Sequence, residues 1–361
     1  MDGNELFGQA DLEAHTQFAL FLFHGLPSSA QCEETNRITL AYFLISSLDL
    51  LRTLPFIDKT QIIDWVYAHQ VLPSSRSDAS DCFNGFRGSL FSGAIFSPLG
   101  ASALRYDGGH LASTYSALAI LSILGDNFSR VQKHSLLMSM RKLQQHDGSF
   151  TSTHMGSETD LRYIYCAVAI SVILKDWNGI DKGNAIRYVM SCQSYDNGFG
   201  LSPGLESHGG ATYCAIASLF MLGCIYMDPL SKEASSTLFD VKGVIKWCVQ
   251  RQTKSGGYQG RSNKDPDACY AFWQVTRVAG SLHLLGAGHL CNVNALENFL
   301  GKCADKHGGF SKWPGETPDI LHAYYGICGL SLLGKPQLKC LCCKLGISTE
   351  AAEKLELLSQ V

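Results

Sequence analysis

The chain has 361 residues, 46% of them hydrophobic and only 17% charged, so it can fill a large core and is not disordered. Its net charge of −3 argues against a general binder of nucleic-acid backbones but leaves room for a local basic pocket. No basic n-region precedes an apolar stretch at the start, so no signal peptide is expected, and the longest apolar run, Tyr213 to Met227, is too short for the roughly 18–20 residues of a membrane span. A reduced, cytoplasmic protein is the expectation. Its 14 cysteines then act as small buried hydrophobes. Cys340, Cys342 and Cys343 form the one tight cluster and lack the second ligand pair that a structural metal site needs.

In chain order, an apolar run at Ile38–Leu51 comes first and reads as the end of a degenerate first repeat. A faint copy follows, from Gly85-Phe86 through His110 to Leu124-Gly125. Four clear copies come next, at Asp147-Gly-Ser-Phe150, Asn197-Gly-Phe199, Gly256-Gly-Tyr258 and Gly308-Gly-Phe310. Their aromatics are spaced 49, 59 and 52 residues apart, and a polar residue trails each by 9 or 10: Asp160, His208, Asp267 and Asp319. An apolar stretch then runs to a Leu-Gly breaker such as Leu222-Gly223. The whole chain, 1–361, reads as one domain with repeat cores at 86–125, 150–175, 199–223, 258–286 and 310–334.

Each repeat predicts two helices. The stretch before the turn is amphipathic. In one copy Asp240 is the expected N-cap of a helix burying Val241, Val244, Ile245, Cys248 and Val249. The stretch after the turn, such as Ala211–Leu222, is apolar nearly all round, as a helix packed on both sides must be. About six such pairs predict an all-α fold, an α–α toroid whose inner helices run parallel around an apolar cavity. The recurring polar residues then line one rim, where helix N-termini favour an anion.

On that rim Asp267, Cys269 and, one repeat later, His322 make a three-donor set for zinc with a fourth position open, the pattern of a catalytic site. Arg261 and Lys264 lie in the loop just before, with His208 and the Tyr270 hydroxyl, and suit a diphosphate. Tyr163, Tyr213, Phe272, Trp273, Tyr324 and Tyr325 either line a tunnel or fill the core. No Asp-Asp pair, P-loop, G-x-S-x-G or H-E-x-x-H occurs.

Four motifs carry a resemblance: Tyr106-Asp-Gly-Gly-His-Leu-Ala-Ser-Thr-Tyr115, Gly204-Leu-Glu-Ser-His-Gly-Gly-Ala-Thr-Tyr-Cys214, Gly260-Arg-Ser-Asn-Lys-Asp-Pro-Asp-Ala-Cys-Tyr-Ala-Phe-Trp273, and the stretch from Pro318 to Leu332. The chain resembles the β subunits of protein prenyltransferases over nearly its whole length, most closely those of the type I geranylgeranyl enzymes. The resemblance implies an α6–α6 barrel and an obligate α subunit. It implies transfer of a geranylgeranyl group from its diphosphate to the Cys of a C-terminal Cys-a-a-Leu motif, through a zinc-bound thiolate. By the same resemblance Asp267, Cys269 and His322 hold one Zn²⁺, and His208, Gly209, Gly210, Arg261, Lys264 and Tyr270 bind the diphosphate. Trp273 and Arg162 lie along the isoprenoid, and His110, Glu158 and Arg162 hold the peptide carboxylate.

Subtype rests on three positions. Thr39 stands where farnesyltransferases carry Trp, leaving room for one more isoprene unit. Lys312 stands where they carry a Mg²⁺-binding Asp, so Mg²⁺ is expected not to be required. Tyr325 departs from the Phe of type I enzymes and matches the Tyr of farnesyltransferases. A farnesyltransferase β subunit and a non-enzymatic helical-repeat scaffold are the alternatives.

Overall fold

The computed structural model describes residues 7–72, 84–91, 108–273 and 280–357. Tyr106 and Asp107 of the first motif, residues 92–107 of the first repeat core and 274–279 of the fourth lie outside them.

Six inner positions form a closed ring. They are α2 (Arg37–Leu50), α4 (Leu111–Leu124), α6 (Leu161–Leu174), α8 (Gly209–Met221), the short pair α10 (Tyr270–Trp273) and α11 (Ser281–Leu284), and α13 (Ile320–Leu332). Each packs on the next, and α13 returns onto α2. They are apolar all round because they are covered on both sides: in α4 every residue but Ala112 is buried. Outside them lie α1 (Gln9–His24), α3 (Lys59–Ala68), α5 (Lys133–Leu143), α7 (Lys182–Ser191), α9 (Val241–Val249) and α12 (Val293–Cys303). These bury one stripe each, as α12 does with Leu296, Phe299, Leu300 and Cys303. The fold is therefore the expected all-α, α6–α6 toroid. Among the described residues no helix is long and apolar enough to cross a membrane.

Glycine-aromatic turns lock neighbouring repeats together. Phe86, Phe150, Phe199, Tyr258 and Phe310 are all fully buried, each bridged to the chain six or more residues before it. The glycines ahead of three of them have φ of +93 to +96° and press on the backbone of the next outer helix. A Cβ would fall 2.1 Å from the Asn184 carbonyl at Gly148, 1.9 Å from that of Ala295 at Gly256 and 2.1 Å from that of Ala14 at Gly308. In the remaining clear copy Asn197 takes the left-handed place, at φ 71°. The last turn is covered by α1. Gly309 N–H donates to His15 Nδ1 at 2.9 Å, and the His15 ring stacks on Phe310 at 4.6 Å. The first helix of the chain thus closes the outer ring behind the last.

One expectation holds in part. Asp240 takes the N-cap position of α9 but its side chain makes no cap hydrogen bond there. The buried face also runs through Trp247, with Ile245 and Val249 only half-buried. Asp196 accepts a hydrogen bond from the Trp247 indole at 2.9 Å, which satisfies the one polar group of that buried ring.

The end of the barrel at the inner helices' C-termini is stopped by a hairpin, β1 (Leu341–Cys342) with β2 (Ile347–Ser348), followed by α14 (Thr349–Leu357). The chain enters beside the end of α2, where Lys339 N–H donates to the Leu50 carbonyl. Tyr42, Tyr115, Tyr165, Tyr213 and Tyr324, from five inner helices, point their hydroxyls at its tip. The Cys340, Cys342 and Cys343 cluster belongs to this hairpin.

Candidate active site and metal centre

The polar residues at +9 or +10 sit where repeat geometry puts them, at the starts of the inner helices. Asp160 Oδ1 accepts from Arg162 N–H, His208 Nδ1 from Gly210 N–H, Asp267 Oδ1 from Cys269 N–H and Asp319 Oδ1 from His322 N–H. His110 does the same for Ala112. Capping and site-building are one arrangement: the cap fixes each polar side chain at the rim.

Asp267, Cys269 and His322 converge, with one donor atom of each lying within 4.8 Å of the others. His322 Nε2 is 3.3 Å from Asp267 Oδ1, and its other ring nitrogen bonds Asp319 Oδ2 at 2.6 Å. A carboxylate behind a histidine fixes the ring and directs its free nitrogen at a metal. Burial opposes the imidazolium charge, yet the hydrogen bonds it donates to Asp267 and Asp319 outweigh that and lift the His322 pKa to about 9. Burial, reinforced by the Asp267 charge, holds the Cys269 thiol well above its ordinary range. Burial also works against the Asp267 carboxylate, but bonds to His322 and Cys269 hold it below its usual value. One oxygen, one sulfur and one nitrogen donor, two of them on buried residues, with the histidine oriented from behind, fit a Zn²⁺ ion. Asp319 was legible in the sequence only as a repeat equivalent. Its signal as the orienting group is the i, i+3 spacing to His322.

Beside this trio lies the second group. His208 accepts at Nδ1, so its proton is on Nε2, which donates to the Tyr270 oxygen at 3.0 Å. That leaves the Tyr270 hydroxyl hydrogen to point at a ligand. Burial and the neighbouring Arg261 push the His208 pKa down, keeping the ring neutral. Gly260 makes the arrangement possible, since a Cβ there would fall 2.0 Å from the Tyr270 hydroxyl. Gly209 N–H donates to the Gly260 carbonyl, and Gly210 gives the His208 and Trp273 rings room. Arg251, which sequence reasoning passed over, holds the loop by a hydrogen bond to Ser262. Arg261 pairs with Glu206 at 3.7 Å on the exposed rim. The Lys264 side chain is also exposed, and its backbone N–H bonds the Gln259 side chain.

Across the mouth, Arg162 bonds Asp160 at 2.6 Å and Glu158 at 3.2 Å. Tyr163 donates to the same Glu158 oxygen at 3.0 Å and meets the His110 ring at 5.9 Å. His110, Glu158 and Arg162 therefore form one cluster, with Tyr163 in it rather than along the tunnel. Lys312 Nζ lies 3.9 Å from Asp267 Oδ2, and its carbonyl accepts from Ala268 N–H.

Below the rim is a mostly apolar cavity of about 470 Å³. Thr39, Arg162, His208, Gly210, Trp273 and Tyr325 all face it. Thr39 receives a 3.4 Å hydrogen bond from Ser116, and Tyr325 packs edge-on to Trp273 at 4.9 Å. A larger hollow, about 620 Å³, lies between α1, α2 and α3 outside the ring and holds none of these residues.

A family model described as the prenyltransferase alpha-alpha toroid domain matches residues 11–354. The geranylgeranyl transferase type-1 subunit beta of Arabidopsis thaliana is 47% identical over 341 residues, covering 94% of this chain and 89% of that one. The subunit of the same name from Dictyostelium discoideum is 37% identical, covering 92% and 93%. A solved structure, Candida albicans protein geranylgeranyltransferase-I complexed with GGPP, superposes with a TM-score of 0.81 at 26% identity, over 96% of this chain and 98% of that one. Ring, rim and sequence agree, and the chain belongs to the prenyltransferase α–α toroid family, among its type-1 geranylgeranyl transferase β subunits.

Proposed function

We propose that this β subunit transfers a geranylgeranyl group from geranylgeranyl diphosphate to the cysteine thiol of C-terminal Cys-a-a-Leu peptides, with one zinc ion and an α subunit as partner. The observation that carries the reading is adjacency. The metal-donor trio stands next to the His208–Tyr270 pair, because Cys269 and Tyr270 are consecutive residues, and His208 of that pair lines the apolar cavity. Asp267, Cys269 and His322 would hold the zinc ion, which when bound would supply the positive charge that favours the thiolate form of a substrate cysteine at neutral pH. Tyr270 donates its hydroxyl hydrogen to the leaving diphosphate, with Arg261 and Lys264 adding fixed positive charge as the carbon–oxygen bond breaks. Trp273 and the rings beneath hold the isoprenoid and exclude water. His110, Glu158 and Arg162 orient the peptide carboxylate. The thirteen cysteines of the described residues are all free thiols, which supports a reducing, cytoplasmic setting. The deciding experiment is donor and peptide competition on the reconstituted heterodimer. Preference for the fifteen-carbon donor and a Ser or Met terminus would make it a farnesyltransferase, the reading that Tyr325 favours. No transfer from either donor would overturn the activity altogether.

Two predictions arise here. Thr39→Trp puts an indole into the cavity wall. Overfilling a packed site costs about 1–3 kcal/mol, so the kcat/KM ratio of twenty- to fifteen-carbon donor should fall roughly 5- to 150-fold. An unchanged ratio removes Thr39 from donor selection. Lys312, beside Asp267, supplies positive charge that farnesyl relatives draw from Mg²⁺. Lys312→Asp should lower turnover in metal-chelated buffer with zinc restored, and millimolar-scale Mg²⁺ should recover part of it. Indifference of the variant to Mg²⁺, or strict Mg²⁺ dependence of the unaltered enzyme, refutes that role.

A further inference from the structure

The hairpin that stops the barrel is held in an unusual way. Four consecutive backbone carbonyls at its tip each accept a tyrosine hydroxyl from the surrounding ring. Tyr213 donates to the Cys343 carbonyl at 2.5 Å, Tyr165 to Lys344 at 3.2 Å and Tyr115 to Leu345 at 2.8 Å. Gly346 accepts from both Tyr42 at 2.7 Å and Tyr324 at 2.8 Å. The hydroxyl oxygens also lie in a row, 2.8–3.4 Å from one to the next. All five tyrosines are buried. Each has a single O–H, directed at a hairpin carbonyl or shared with the neighbouring hydroxyl of the row.

These same five rings line the cavity, and Gly346 lines it too. The hairpin tip is therefore the cavity's floor. Gly346 has φ +65°, and a Cβ there would fall 2.5 Å from the Tyr42 hydroxyl and 2.9 Å from that of Tyr115, so the tip seats only as glycine. The tyrosine spacing recurs: Tyr115, Tyr165, Tyr213 and Tyr324 each stand five residues after the polar cap of their helix. In α10 that place is Phe272, which has no hydroxyl to give. A hydrophobic lining alone would be served as well by phenylalanine at every position. The hydroxyls serve the floor.

We propose that the tyrosine clamp fixes the depth of the cavity, making Tyr42, Tyr115, Tyr165, Tyr213, Tyr324 and Gly346 positioning residues that set the upper limit on isoprenoid length. The proposal rests on the prenyl-transfer reading given above. A floor bound to the ring at four successive carbonyls cannot retreat without breaking buried hydrogen bonds, and an over-long chain is rejected by that cost. Thr39 acts on the wall, whereas the clamp acts on the end.

The test uses the zinc-loaded heterodimer and isoprenoid diphosphates of fifteen, twenty and twenty-five carbons. Tyr115→Phe keeps the ring and removes one hydroxyl. Tyr324→Phe is the milder variant, because Gly346 keeps Tyr42. Losing a buried hydrogen bond costs about 0.5–1.5 kcal/mol. The kcat/KM ratio of twenty-five- to twenty-carbon donor should therefore rise roughly two- to tenfold in Tyr115→Phe and less in Tyr324→Phe. Amide exchange at Leu345 and Gly346, whose N–H groups donate to the Cys342 carbonyl, should quicken in the same order. Faster exchange with an unchanged donor ratio makes the clamp structural only and overturns the proposal. Unchanged exchange in both variants overturns it too, since the hydroxyls then do not hold the floor. Failure of the unaltered heterodimer to transfer any of the three chains sinks the prenyl-transfer reading instead.

Discussion

Cys269→Ala should lose both zinc and peptide alkylation while isoprenoid diphosphate binding survives. The trio supplies three donors, and removing the thiolate leaves an aspartate and a histidine, too few to retain the ion through dialysis. His208 and Tyr270 bond each other and Arg261 pairs with Glu206, all outside the trio, so diphosphate binding should survive the loss of the metal. Asp319→Asn tests the layer behind. It leaves all three donors in place and weakens only the group that orients His322, so metal affinity should fall about 10- to 100-fold. Proton release gives an independent check. At pH 7 the metal-free chain carries a proton on Cys269, whose thiol is raised by burial, and on His322, whose pKa is about 9. Zinc uptake should then release about two protons and tighten as pH rises. Calorimetry in buffers of different ionisation enthalpy counts them. Full zinc occupancy in Cys269→Ala by elemental analysis removes this residue from the metal site.

The second large effect is on stability. Gly256→Ala should destabilise the fold by about 3–5 kcal/mol, the upper range for single substitutions. Two costs combine. At φ +96° an alanine is strained, and its Cβ would lie 1.9 Å from the Ala295 carbonyl on α12, which cannot move without unpacking that helix. Gly125→Ala separates the two. It has φ +80° and nothing within 4 Å of the added carbon, so it should show the conformational cost alone, about 1 kcal/mol. Denaturation of both variants beside the unaltered protein measures the difference. Equal losses would mean that the close approach to α12 costs nothing.

The repeats were legible because each does the same job with the same residues. A buried aromatic needs a left-handed turn ahead of it, and a buried helix needs a polar cap, so both recur at near-fixed spacing. The zinc trio was legible for the same reason: Asp267 and Asp319 mark equivalent places, and His322 falls three residues on from the second. What was missed depends on partners distant in the chain. The Tyr213 ring lines the cavity, but its hydroxyl's partner, the Cys343 carbonyl, lies 130 residues away and could not be read. Arg251 drew no notice until Ser262 was seen on it. The face of α9 was drawn from helical period alone, which could not show the Asp196 carboxylate waiting for the Trp247 indole.

The docking of α1 on the final turn has a consequence in time. His15 and the Gly309 N–H it binds are 294 residues apart. At synthesis rates of about 5–20 residues per second, α1 waits roughly 15–60 s for the segment it covers. Helix-pair contacts within each repeat form while the chain is still growing, but the seam between first and last repeats cannot. The apolar edge of α1 stays without its partner for that whole interval, and the toroid shuts only when its last turn arrives. A nascent chain stalled before residue 308 is an open arc with two uncovered ends, and it is at this stage that the protein most needs a chaperone's cover.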